Sequence, residues 1–198
     1  MNMLTILTTG NISQEVFNGF ATGARPASEA GEDAVATMDL ANNSKLVVNN
    51  YNGMGLGYEA LGVMNIDATS EFECTEDFLV TAKGTMNING GTLNATKTVT
   101  NNGAIKVSGE STLYIEELTG EEVNFLDGAI IKNSIIGGSA FVAGNVTFRG
   151  ANTFAMLYDF GTLTDYYGTT APMKWTVEEG ASVTLTDKSR YGLGYGDN

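Results

Sequence analysis

The strand-like segments of this sequence are too short and too closely spaced for an ordinary antiparallel sheet. From Gly84 onward, apolar and small polar residues alternate over two to five residues, and Gly or Asn interrupts them about every six to thirteen residues. Antiparallel hairpins pair longer strands through characteristic two-residue turns. Short, regularly interrupted strands are typical instead of a coil in which each turn contributes a few strands to long parallel sheets.

The alternation within each segment predicts which side chains form the core. We expect Ile88, Ile105, Val107, Leu113 and Ile115 to point inward, and the Asn, Thr, Ser and Lys residues between them to lie on the surface. Asn suits the corners because it tolerates the left-handed backbone conformation, and stacked amides can pair between successive turns. With on the order of 20 residues per turn, the regular part would make roughly five turns.

We therefore predict an all-β, single-domain β-solenoid over residues 1–198. Residues 1–83 form an irregular N-terminal part, 84–154 regular coils, 155–173 an aromatic insertion and 174–198 the final coils. The alternative is an antiparallel β-sandwich, which also uses short alternating strands. Irregular strand lengths and the lack of strong two-residue hairpin sequences disfavour the sandwich.

The composition excludes several classes of function. Ten Lys and Arg against 23 Asp and Glu give a net charge of −13, so the chain lacks the basic surface that nucleic-acid binding needs. The absence of His excludes a His-based catalytic triad and an imidazole metal site. Unbroken apolar runs are far shorter than the roughly 20 residues of a membrane-spanning helix.

The single cysteine is expected to be a small core residue. One thiol cannot form an internal disulfide, so stability must come from packing and hydrogen-bonded ladders. Glu71, Glu73, Glu76 and Asp77 surround Cys74 in the sequence, and their negative charges should raise the thiol pKa. We therefore do not expect Cys74 to be a nucleophile.

Two pairs of glutamates are the main candidates for catalysis or metal binding. Glu116 and Glu117 are separated from Glu121 and Glu122 by a short segment that contains a glycine. Adjacent strand residues face opposite sides, so solvated charges near a turn explain these pairs better than a catalytic pair. A calcium site at the four carboxylates is the alternative, because this cation needs clustered oxygen ligands. No other cofactor is predicted.

The regular pattern breaks between Phe154 and Met173, where aromatic residues mix with aspartates. Aromatic rings stack on the apolar faces of sugars, and carboxylates accept hydrogen bonds from hydroxyl groups. Insertions in repeat proteins often project from the binding face. The candidate ligand-binding residues are Tyr158, Asp159, Asp165, Tyr166 and Tyr167. Alternatively, these rings cover the side of the coil or form a small satellite core.

The sequence pattern of residues 84–154 resembles that of the repeat-bearing passenger regions of bacterial adhesin-like and autotransporter-type surface proteins. The resemblance rests on the sequence segments NGGTLNA, NNGAIKVSG and GNVTFRGANTF. The family implies a right-handed parallel β-helix exposed outside the cell, where it serves in attachment or as a stalk. This chain departs from the family in having no basic, apolar export signal at its start and no C-terminal set of barrel-forming strands. A fragment of a longer passenger is the expectation that follows.

The function predicted from these observations is that of a non-enzymatic structural or adhesive segment of a bacterial cell-surface or secreted protein. The expected partner is a host or environmental glycan or cell surface, or another copy of the chain joined through the coil ends. The alternatives are a polysaccharide lyase or hydrolase built on a β-helix and a segment of a phage tail fibre, which should be a stable trimer.

Overall fold

The computed structural model describes residues 7–8, 11–14, 20–22, 35–49, 54–57, 61–159 and 174–187. Within these residues the regular structure consists of strands, and all the strand pairings are parallel. None of the described segments is a helix that could cross a membrane. The predicted all-β parallel solenoid is therefore confirmed, and the antiparallel sandwich is not formed.

The strands before the regular part are β1 (Leu7–Thr8), β2 (Asn11–Gln14), β3 (Phe20–Thr22), β4 (Val35–Leu40), β5 (Lys45–Val48), β6 (Met54–Leu56), β7 (Leu61–Asp67), β8 (Glu71–Cys74) and β9 (Phe78–Val80). The later strands are β10 (Gly84–Asn89), β11 (Thr92–Asn101), β12 (Ala104–Ser108), β13 (Glu110–Gly120), β14 (Val123–Leu126), β15 (Ile130–Lys132), β16 (Ile135–Ala143), β17 (Asn145–Arg149), β18 (Ala151–Tyr158), β19 (Lys174–Val177) and β20 (Ser182–Leu185). From β10 onward they make about five turns, as predicted.

In the first turns the strands form three faces. Face 1 stacks β4, β7, β10, β12 and β14. Face 2 stacks β2, β5, β8 and residues 92–95 of β11 on residues 112–115 of β13. Face 3 stacks β3, β6, β9, residues 99–101 of β11 and residues 118–120 of β13. The ladder thus extends continuously from the N-terminal part into the regular coils.

The core consists of side chains stacked in register from turn to turn. One column on face 1 contains Met38, Met64, Met86, Ile105, Val123, Ala140 and Leu157, and the next contains Leu40, Ile66, Ile88, Val107, Phe125 and Val142. None of these side chains is more than 4% exposed. All five residues predicted to point inward are fully buried, because a strand turns alternate side chains to opposite sides.

The cross-section changes after β13. Face 3 ends there. A new face 4, formed by β15, β17 and β19, begins between faces 1 and 2, and its first strand, β15, pairs with Glu110 and Ser111 of β13. Only Gly137 and Gly138 lie between the face 2 and face 1 parts of β16. A Cβ atom on Gly137 would overlap the carbonyl oxygen of Glu116, and one on Gly138 would lie 2.5 Å from the Leu118 Cβ atom. Two glycines therefore allow the chain to pass where face 3 would have continued.

From β4 to β18 the turns become shorter. Side-chain hydrogen bonds between successive turns span 26 residues from Asn65 to Asp39, 22 from Asn87 to Asn65, 19 from Ser108 to Asn89 and 18 from Asn145 to Asp127. The corners use the residues expected there, since Asn42, Asn43 and Asn133 have positive φ angles. The number of residues per turn thus decreases up to β18 and increases again in the last turn, where Arg149 and Glu178 are 29 residues apart.

A stack of small polar residues lies beneath the corner that leads into face 2. Ser44, Ser70, Ser111, Ser134 and Asn152 are buried, and each is hydrogen-bonded to backbone or to its neighbour in the stack. The Ser44 amide donates to Ser70 Oγ at 3.2 Å, and the Ser134 amide donates to Asn152 Oδ1 at 3.0 Å. Since buried polar groups must be hydrogen-bonded, these residues keep the corners in register.

Candidate binding groove

Many outward-facing polar side chains are bonded to the turn above or below. On face 1 the Asn65 amide donates to Asp39 at 2.6 Å, and the Asn87 amide donates to Asn65 at 2.8 Å. On face 2 the Lys45 ammonium lies 2.7 Å from Glu73 and 3.0 Å from Glu71. Hydrogen bonds to Glu73 and Glu71 raise the Lys45 pKa above its usual value. The predicted pairing of stacked amides therefore occurs, on a face rather than at the corners.

A second network of charges runs along the outside of face 4. Glu110 contacts both Lys132, at 2.8 Å, and Arg149, and Arg149 also contacts Glu178. The hydrogen bond to Arg149 lowers the Glu178 pKa, and the hydrogen bond to Lys132 lowers the Glu110 pKa. Successive turns are tied together by these groups, which do not converge on a cavity.

The four glutamates predicted as a calcium site lie where face 3 ends. Glu116, Glu117 and Glu121 are exposed and Glu122 is half-buried. Glu117 accepts a hydrogen bond from the Thr98 hydroxyl at 2.8 Å. Within the described ranges, the Asp, Glu and Cys side chains form no group of three or more arranged to hold a metal ion. Exposed charges at the end of a sheet discourage pairing with other strands, which gives these glutamates a structural explanation. Calcium binding stays a prediction.

Two of the five residues predicted to bind a ligand in the aromatic insertion are described. Tyr158 is half-buried and packs against Phe141, with ring centroids 5.3 Å apart, and Asp159 is 3% exposed. Phe141 occupies an outward position of face 1 yet is 1% exposed, and with Ala143 it forms a cluster separate from the main core. These contacts match the satellite core that was the alternative to ligand binding. Asp165, Tyr166 and Tyr167 lie outside the described residues.

Cys74 is a core residue on face 2. It is fully buried between Val48 and Ala95 in the ladder. Burial raises the pKa of its thiol to about 11, helped by the charges of Glu76 and Asp77. The sequence predicted the direction of this shift from the neighbouring acids, whereas burial is its larger cause.

A groove of about 420 Å³ lies at the corner between face 3 and face 1, which we call the corner groove. It crosses three successive turns, and its lining residues are Ala82, Gly84, Thr85, Asn102, Gly103, Ala104, Lys106, Glu121, Glu122 and Asn124. Glu121 and Glu122 were predicted as candidate site residues from the sequence, whereas the other residues that line the groove were not. They come together because the register of β10, β12 and β14 pairs Thr85 with Ala104 and Lys106 with Asn124.

Small residues form the floor of the corner groove. A Cβ atom on Gly103 would overlap the carbonyl oxygens of Thr81 and Gly84, and one on Gly84 would lie 2.5 Å from the carbonyl oxygen of Leu56. Larger residues are therefore excluded at both positions by the backbone of the neighbouring turns. The two glycines thus allow the main chains of successive turns to approach closely beneath the groove.

The charged groups of the corner groove are not used in holding turns together. Within the described part of the chain, the Lys106 ammonium and the carboxylates of Glu121 and Glu122 make no hydrogen bond or ion pair. By contrast, Lys45, Lys97, Lys132 and Arg149 all form ion pairs with glutamates. The corner groove thus combines unpaired charges of both signs with the polar side chains of Thr85, Asn102 and Asn124.

No protein-family model matches the chain, and the comparisons with curated proteins and with solved structures found no match. Function is therefore inferred from the residues of this chain alone.

Proposed function

We propose that the chain is a non-enzymatic structural and adhesive segment of a bacterial cell-surface or secreted protein. The observation that carries this proposal is the use of outward polar side chains to join successive turns. Asp39, Asn65 and Asn87 bond along face 1, and Lys45 and Glu71 bond on face 2. Together with the continuous core, these bonds oppose bending and separation of the turns, as a stalk requires.

The adhesive part of the proposal depends on the corner groove. In this groove, side chains with unpaired charges of both signs line a concave surface. Polar side chains that converge in a concave site supply orientation and specificity for a ligand. A groove on the side of a rod leaves the ends of the rod unobstructed, so that attachment does not interfere with the stalk.

Rigidity is tested by measuring the distance between two spin labels on the full chain. Asp77→Cys and Glu179→Cys place labels on exposed residues of different turns, while the native Cys74 is buried. We expect one narrow distance distribution. The matched control replaces Asn65 and Asn87 with Ala in the same labelled chain, which removes the face 1 bonds and should broaden the distribution. A broad distribution in the unmodified chain would contradict a stalk.

Adhesion and catalysis are separated by two further assays. Display of the chain on a non-adherent bacterium should increase attachment to glycan-coated surfaces over uncoated ones. Acidic polysaccharides incubated with the purified chain should release no reducing or unsaturated ends. Release that disappears with Glu117→Gln or Glu122→Gln would replace the adhesive function with a lyase or hydrolase. A stable trimer in sedimentation velocity would favour a fibre segment instead.

A further inference from the structure

We propose that the corner groove binds a saccharide that carries both an amine and a carboxylate. This inference rests on the adhesive function proposed above and names its ligand class. The groove offers an ammonium at Lys106, two carboxylates at Glu121 and Glu122, and polar side chains at Thr85 and Asn124. A ligand with charges of one sign would meet repulsion from part of this set, whereas a ligand with both signs satisfies all of it.

The hydrogen-bonding groups of the corner groove match hydroxyl groups. Asn102 provides an amide donor and a carbonyl acceptor, and Thr85 provides a hydroxyl group. The Asn124 amide donates one hydrogen bond to the Glu122 carbonyl, which leaves its second hydrogen and its carbonyl oxygen for a ligand. Each of these can bond a sugar hydroxyl, which is both donor and acceptor.

An extended peptide fits the corner groove less well. Strand addition requires unpaired backbone groups at a sheet edge. Here the Gly84 amide donates to the Thr81 carbonyl at 2.8 Å, the Asn102 amide donates to the Val80 carbonyl at 2.7 Å, and the Gly103 amide donates to Asn101 Oδ1 at 3.2 Å. The lining also has no apolar side chain larger than that of Ala82 or Ala104 to anchor a peptide side chain. The saccharide is therefore the better match.

The test combines three probes with two variants of the full chain. The probes are a tetrasaccharide of alternating glucuronate and glucosamine with free amines, its N-acetylated form and its carboxyl-reduced form. The variants are Glu121→Gln/Glu122→Gln and Lys106→Gln, with the exposed Glu179→Gln as the matched control. Binding is followed at low salt by chemical-shift titration of the backbone amides, which also locates the site.

We expect N-acetylation to weaken binding to the unmodified chain by about threefold, because an exposed ion pair contributes an effect of that size. In the double glutamate variant, N-acetylation should cause no further loss of affinity. Carboxyl reduction should weaken binding by about threefold in the unmodified chain and have no further effect in Lys106→Gln. Such non-additivity between a ligand group and a side chain identifies direct contact. Glu179→Gln should bind all three probes as the unmodified chain does.

Three results would overturn the inference. The first is equal binding of all probes to every variant, and the second is chemical-shift changes that map away from the corner groove. The third is that an alternating Lys-Asp tetrapeptide binds more tightly than the tetrasaccharide and loses affinity when Lys106 or Glu122 is replaced. That result would assign the groove to peptides. None of these results changes the spin-label distance distribution, so failure of this inference is distinguishable from failure of the stalk.

Discussion

Arg149 holds Glu178 through two parallel hydrogen bonds, from Nε to Oε2 and from Nη2 to Oε1, both 2.8 Å long. The pair joins β17 to the residue that follows β19, across the place where the described chain is interrupted. Both side chains are about 36–37% exposed. The final turn of face 4 is thereby attached to the solenoid by a planar contact as well as by its ladder.

Replacing Arg149 with Lys should produce a small decrease in Tm. Lys has one ammonium group and cannot form the two parallel bonds that the guanidinium makes with a carboxylate. Because the pair is partly solvated, added salt should reduce the difference between the two proteins. Thermal unfolding at low and high salt measures both effects, and Lys174→Gln, at an exposed position of β19, is the control. A salt-independent decrease would contradict an electrostatic origin.

Gly137→Ala should be among the most disruptive single substitutions in the described chain. The added methyl group would overlap the carbonyl oxygen of Glu116, so β16 would have to move away from β13. Gly128→Ala is the comparison, because Gly128 has a φ of 78° but nothing within 4 Å of its Cβ position. That variant should lose only about 1–2 kcal/mol from the unfavourable backbone conformation. Urea unfolding compares them, and equal losses would be inconsistent with the closure described at Gly137.

Asp67→Asn should lower stability at pH 7, and the loss should shrink in acid. Partial burial raises the Asp67 pKa, but hydrogen bonds from Ser70, Thr69 and Asn42 outweigh it and lower the pKa from 3.8 to about 2. A lowered pKa stabilises the fold above pH 3.8, and this contribution is lost as the pH falls toward 2. Unfolding at pH 7, 3 and 2 measures the difference, with the exposed Asp77→Asn as the control. A loss that stays constant down to pH 2 would show that the charge of Asp67 is unimportant.

The Cys74 thiol should not react with a maleimide in the native protein at pH 8. The side chain is fully buried, and its pKa of about 11 keeps the thiolate fraction small. In denaturant, one thiol per chain should react rapidly. The control is Asp77→Cys, whose added thiol is at an exposed position and should react in the folded state. Rapid native labelling of Cys74 would indicate local opening of face 2.

The buried columns were predictable because strand periodicity is a local property. Ile88, Ile105 and Val107 each alternate with polar residues, and that alternation alone fixes which side is buried. The end of face 3 was not predictable in this way. Gly90-Gly91 and Gly137-Gly138 look alike in the sequence, yet the first pair lies at the corner before face 2 and the second replaces a whole face. The different roles of the two glycine pairs depend on which strands of the neighbouring turn each pair packs against.

The corner groove could not be predicted for a related reason. Asn102, Lys106 and Glu122 lie in two different turns, and their proximity depends on the register between those turns. Register follows from turn length, and the bonds between neighbouring turns span from 18 to 32 residues along the chain. Glu122 was recognised as part of an acidic pair, but nothing near it in the sequence indicated a lysine as its neighbour in space.

The pairing of each turn with the turn before it also affects how the chain folds. The strands of each turn pair with strands of the turn that precedes them in the sequence, and the side-chain bonds between neighbouring turns span 18 to 32 residues. The entropy cost of closing each such loop depends on the loop itself and does not grow with the length of the molecule. Structure can therefore be added in the order of synthesis, each turn forming on a template that already exists. A solenoid of this kind does not have to wait for its C-terminal residues before its first turns are stable.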